Sequence, residues 1–161
     1  MTYFKKKIDK PVKVGADYDL AVEFKSGFKD ENLINNTAIA YKVIQALLEQ
    51  SKTGQEQILA LFMTATFKKI AYSALSIGID SSFQDNVKLI ASFAKHTKAT
   101  LCIVAYHYPG GSIAPTQSDF ALTLVIKNTL LGMGVKLMDL IIVNEVSYYS
   151  MYDEGFLNAK K

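Results

Sequence analysis

From Ile58 to Met63 the chain is apolar without interruption, and Thr64-Ala65-Thr66 closes the run. A segment this short, with no polar side, suits a strand buried on both faces, so apolar cover is needed above and below its sheet. Thr100 to Tyr106, built around Leu101-Cys102-Ile103-Val104, is the clearest strand of the chain and ends at Pro109-Gly110-Gly111. Ile70 to about Ile77, after Lys68-Lys69, is a further extended stretch that pairs with the first run as a hairpin, and Gly78 ends it. Leu137 to Val143 and Ser147 to Met151 close the chain as two more strands.

The cover is supplied by three amphipathic segments. Ile39, Val43, Ile44, Leu47 and Leu48 recur at helical spacing behind a cap at Asn36, and this helix runs to about Gln50 before Lys52-Thr53-Gly54 breaks it. Ser82 and Asp85 have the spacing of a capping box, and Phe83, Val87, Ile90, Ala91 and Ala94 follow as a second helix. Thr116 and Asp119 form another such box and open a third helix that runs to Gly132 or Gly134. Pro11 to Val14 is a short extended candidate within a mixed stretch from Lys5 to Phe28. The order β-α-β-β-α-β-α-β-β argues a compact α/β sandwich. Its 161 residues, half of them hydrophobic, suffice for one core. The chain divides into residues 1–30, an N-terminal segment with a leading-strand candidate, and residues 31–161, a single domain.

Composition narrows the chemistry. All 18 basic side chains are lysines, and the net charge is +3. Without arginine there is no guanidinium fork for phosphate, carboxylate or guanine, and no arginine finger. The cluster Lys5-Lys6-Lys7 reads as a solvated arm, and it lacks the apolar run of a signal peptide. No apolar stretch approaches the ~18 residues of a membrane span, so a cytoplasmic protein is expected. The single cysteine, Cys102, lies in an apolar strand and reads as a buried structural thiol. Gly110-Gly111 lacks the following lysine of a phosphate loop and reads as a turn, and His96 reads as a surface histidine.

From Tyr72 to Leu157 the chain resembles the C-terminal JAB/MPN domain of the RadC family. Ser76-Ile77-Gly78 followed by Ser81 matches that family's strand-end turn. Ala105-Tyr106-His107-Tyr108-Pro109-Gly110-Gly111 stands where the family has A-H-N-H-P-S-G. Pro115-Thr116-Gln117-Ser118-Asp119 with Ala121-Leu122-Thr123 matches its P-S-x-x-D-x-x-L-T helix start. Met138-Asp139 through Val143, Tyr148-Tyr149-Ser150 and Glu154-Gly155-Phe156-Leu157 match its closing strands. The resemblance implies a three-layer sandwich with a cytidine-deaminase-like core, a mixed sheet flanked by helices.

Catalytic members of the wider JAMM group hold one zinc with two histidines and an aspartate, and a nearby glutamate acts as general base on the bound water. Side chains alternate along a strand, so the histidines of H-x-H share one face, and the aspartate comes from the first turn of the next helix. Carried over by position, the two histidines become Tyr106 and Tyr108, the glutamate becomes Ser73, the motif serine becomes Thr116, and the aspartate is kept as Asp119. Phenols with a pKa of ~10 do not replace imidazoles as neutral ligands at pH 7. His107 lies between the tyrosines and should point to the opposite face. Asp119 with Thr116 suffices as a helix cap, and Tyr106 and Tyr108 either fill the vacated volume or line a hydroxyl-rich floor with Ser73 and Thr116. The resemblance therefore implies a zinc-less domain with vestigial positions at Ser73, Tyr106, Tyr108, Thr116 and Asp119. It would act through a protein partner or as a homodimer, with a link to DNA repair or mobile elements. Two alternatives are a JAMM-type hydrolase with atypical ligands and a DNA-associated accessory protein of weak affinity; no membrane association is expected.

Overall fold

The computed structural model describes residues 11–12, 21–23, 33–51, 56–76 and 83–157. The elements, in chain order, are β1 (Pro11–Val12), β2 (Ala21–Glu23), α1 (Thr37–Ser51), β3 (Gln57–Met63) and β4 (Lys69–Ser76), followed by α2 (Phe83–Thr97), β5 (Leu101–His107), α3 (Gln117–Leu131), β6 (Lys136–Val143) and β7 (Tyr148–Ser150). The seven strands among the described residues form one sheet in the order β1-β2-β4-β3-β5-β6-β7. β5 and β6 run parallel, joined by α3 as their crossover, and every other neighbouring pair is antiparallel. The order read from the sequence holds, with one addition. β2 was not expected, because three residues are too few to show an alternation; it is fixed by pairing Ala21, Val22 and Glu23 with Ser73, Tyr72 and Ala71 of β4.

Every residue of β3 is buried, as an uninterrupted apolar run requires. Its side chains divide between two cores. Ile58, Ala60 and Phe62 face α2 and α3, together with Val104, Ile90, Phe93, Leu122 and Ile126. Leu59, Leu61 and Met63 face α1, together with Ile103, Ile141, Val43, Ile44 and Leu47. The result is a three-layer α/β sandwich. Phe62 and Phe93, both fully buried, meet edge to face with centroids 6.5 Å apart, a geometry worth roughly 0.5–1.5 kcal/mol beyond the area it covers.

Local chemistry sets the ends of these elements. Asn36 Oδ1 accepts the Ile39 N–H at 2.9 Å and caps α1. The β3–β4 hairpin turns through Phe67 at φ 69°, with Thr64 Oγ1 accepting the Thr66 and Lys68 N–H groups. Of the two glycines placed after α3, Gly132 caps it in a right-handed conformation, while Gly134 at φ 83° reverses the chain into β6. The second capping box (Ser82 with Asp85), the strand-end turn from Ile77 to Ser81, the Lys52-Thr53-Gly54 break and the lysine cluster of residues 5–7 involve residues outside those described. Among the described residues, no helix is long and apolar enough to cross a membrane.

Candidate functional site

The end of β5 and the start of α3 face each other across the loop of residues 108–116. Strand alternation sends Tyr106 and Tyr108 to the α2/α3 side, where both pack against the core. Their rings stack, with centroids 4.5 Å apart and planes inclined by 30°. Tyr108-Pro109-Gly110-Gly111 then turns the chain, with Gly111 N–H donating to the Tyr108 carbonyl at 3.1 Å and Gly110 at φ 69°. Proline followed by a glycine of positive φ is the sequence a type II turn requires.

Asp119, 3% exposed, lies in the first turn of α3. Its carboxylate accepts three hydrogen bonds. Tyr108 Oη donates to Oδ1 at 2.9 Å, and the Thr116 N–H and Oγ1 donate to Oδ2 at 2.8 and 3.1 Å. In return, the Asp119 N–H donates to Thr116 Oγ1 at 3.2 Å, which completes the capping box expected from the spacing. Burial, and then the bond to Asp119, pushes the Tyr108 phenol up. Burial, and then Glu56, raises that of Tyr106. Both tyrosines therefore stay protonated as hydrogen-bond donors at neutral pH.

The remaining sequence candidates lie apart from this group. Ser73 is fully buried on the same face of the sheet, and its hydroxyl has no hydrogen-bond partner. Register places it opposite Ala60, whereas Tyr106 is opposite Ile58. Two strand spacings, roughly 10 Å, separate β4 from β5. His107 points to the α1 side, as alternation requires. Its Nε2 is 3.9 Å from Glu145 Oε2, its Nδ1 is buried without a partner, and burial lowers its pKa while Glu145 opposes that shift. Cys102 is fully buried, which pushes its thiol up and removes it as a nucleophile. His96 is exposed.

The described side chains at these positions do not form a zinc-ligand set. Two phenols stacked on one another occupy the ligand positions, and both oxygens of the aspartate are already engaged by donors. Among the described residues no three His, Cys, Asp or Glu side chains come together as a ligand set. What the arrangement does is mechanical: a chain of hydrogen bonds from Tyr108 through Asp119 to Thr116 ties the end of β5 to the start of α3. A second tie holds the same loop from the other side, where Glu145 Oε1 accepts the Gly110 N–H at 2.8 Å and Asn144 Nδ2 donates to the Gly111 carbonyl at 2.7 Å. The Gly110 bond is the main cause of the lowered Glu145 pKa.

Asp139 plays a part that spacing alone did not disclose. It is 4% exposed within β6, accepts from Ser150 Oγ at 2.5 Å and from the Tyr152 N–H at 2.9 Å, and burial pushes its pKa up to about 6. It lines a groove of about 630 Å³ with Asn36, Thr37, Lys136, Tyr152 and Asp153. The one signal in the sequence is a carboxylate interrupting the apolar run from Leu137 to Val143.

Comparison with known proteins agrees with this architecture. The family model described as a RadC-like JAB domain matches residues 34–156. A UPF0758 protein of Flavobacterium johnsoniae is 29% identical over 76% of the chain, and one of Porphyromonas gingivalis is 31% identical over 77%. A UPF0758 protein of Streptococcus agalactiae is 28% identical over 91%. The matches cover 52%, 54% and 64% of those relatives, so the chain spans about half to two thirds of their length. By the match of the family model over most of its length, this chain belongs to the RadC-like JAB domain family.

Proposed function

We propose that this chain is a zinc-less member of its family that acts through contacts with protein rather than by hydrolysis. The observation that carries the reading is the engagement of Asp119: Tyr108 and Thr116 hydrogen-bond both oxygens of the carboxylate that a zinc ion would need. Ser73, in the position of the general base, has no carboxylate with which to activate water, and a hydroxyl of ordinary acidity does not replace one. The outward side of α3 adds support, since Leu124, Val125 and Leu131 lie together there, 44%, 38% and 61% exposed. We assign the domain no nucleic-acid contact of its own, because a net charge of +3 without arginine is a weak electrostatic footprint.

Metal analysis of the purified chain, alongside a Tyr106→His/Tyr108→His variant, tests the reading. The wild-type chain should carry no stoichiometric zinc after exposure to it, while the double variant, with H-x-H restored beside Asp119, should take up the ion. One tightly held equivalent in the wild-type chain, lost on Asp119→Ala, would overturn the proposal.

A further inference from the structure

α3 is apolar on two sides. Leu122, Ile126 and Leu130 are buried in the core, while Leu124, Val125 and Leu131 remain exposed on the opposite side. Along that outer side Ala121, Leu124, Asn128 and Leu131 follow one another at steps of three, four and three residues. This is the spacing of a two-helix seam, with leucines in the d positions and Ala121 and Asn128 in the a positions. The seam carries no charge. The charged residues of α3 are Asp119, buried in its capping box, and Lys127, half-buried on the flank.

These features select the occupant. A neutral seam gives an acidic or basic partner nothing to pair with. In a parallel two-fold pair each seam residue meets its own copy, which a charged seam would resist and a neutral one allows. Asn128 selects the direction. In a parallel pair it faces a second Asn128 and the two amides satisfy each other; in an antiparallel pair it faces a leucine and is buried without a partner.

We propose that the outer face of α3 is a self-association surface on which two copies of this chain pair in parallel, Leu124 against Leu124 and Asn128 against Asn128. The inference rests on the reading that the domain works through protein contacts and names the partner as a second copy. The 15 residues of α3 span about 22 Å. One helix pair of that length covers less than the ~800 Å² per partner of a typical stable complex, so the pairing is reversible and depends on concentration.

Sedimentation of the full chain from micromolar to millimolar concentration should show a monomer–dimer equilibrium. Leu124→Glu, at an exposed position, should weaken it by roughly tenfold or more with an unchanged thermal melt. Under mild oxidation Leu131→Cys should cross-link to its own copy, while Val146→Cys, on a site 82% exposed in another part of the surface, should not. Cys102 is buried and does not compete. A chain that stays monomeric across the range, a dimer indifferent to Leu124→Glu, or Val146→Cys cross-linking as fast as Leu131→Cys would overturn the proposal. Zinc content is read separately: a zinc-free monomer defeats the dimer alone, whereas a zinc-holding chain defeats the proposed function whatever its mass.

Discussion

A phenol in place of an imidazole changes both what the end of β5 can bind and what holds it in place. Tyr108 donates to a carboxylate that is almost fully buried, so Tyr108→Phe removes the bond and strands Asp119 Oδ1. A hydrogen bond to a charged group is worth roughly 1.5–3 kcal/mol, and the loss should appear as a lower denaturant midpoint with an unchanged slope. Strand alternation and the Thr116-x-x-Asp119 spacing made the shared face of the tyrosines and the helix cap legible. The bond between Tyr108 and Asp119 was not, because it depends on the path of the loop between them. Asp139 is a harder case, since its environment is made by Ser150 and Tyr152, beyond the end of its strand. Its folded pKa of about 6 lies above the ordinary aspartate value of 3.8, so the folded state holds this proton more tightly than the unfolded state does. The stability this group contributes is therefore greatest below pH 3.8 and declines as pH rises towards 6, by about 3 kcal/mol in all. Asp139→Asn should flatten that part of the profile, and the difference between variant and wild-type stability, measured by urea unfolding from pH 4 to 7, should change in the variant's favour as pH rises. A difference independent of pH would show that the proton is not shared unequally between the two states.

At the scale of elements, the parts that could be read were those whose signal is local. Three helices announce themselves by period, α1 and α3 by their caps as well, and β3 and β5 by uninterrupted apolar runs. β2 carries no such signal: Ala21-Val22-Glu23 is extended because β4 offers it an edge. The turn from β6 to β7 is similar, since its role comes from what it reaches. Asn144 Oδ1 accepts the Val146 and Ser147 N–H groups while its Nδ2 holds the Gly111 carbonyl, so one side chain shapes this turn and anchors the β5–α3 loop. Asn144→Ala should cost about 1–3 kcal/mol and speed amide exchange at Gly111 and its neighbours more than in β6. Equal acceleration throughout would mean that the residue serves overall stability and not the loop.

The whole molecule is a sheet whose two halves have different claims on the family pattern. The family model begins at residue 34, yet the sheet continues past β4 into β2 and β1. β4 runs from Lys69 to Ser76 with Ala71 and Ser73 fully buried, and it would be a long, largely apolar edge without its neighbour. Such edges invite strand addition from other chains, and proteins cover them or keep them short; β1 and β2 end the sheet here in short strands, and the opposite edge ends in β7, also short. A chain begun at residue 33 would retain all of the residues matched by the family model while exposing β4. It should melt lower than the full chain and form irreversible, concentration-dependent aggregates, visible by light scattering, that dilution does not dissolve. That irreversibility separates them from pairing through α3. If the shortened chain kept the melting temperature and solution behaviour of the full one, β1 and β2 would be dispensable ornaments of the edge, and the sheet from β4 to β7 would be the folding unit.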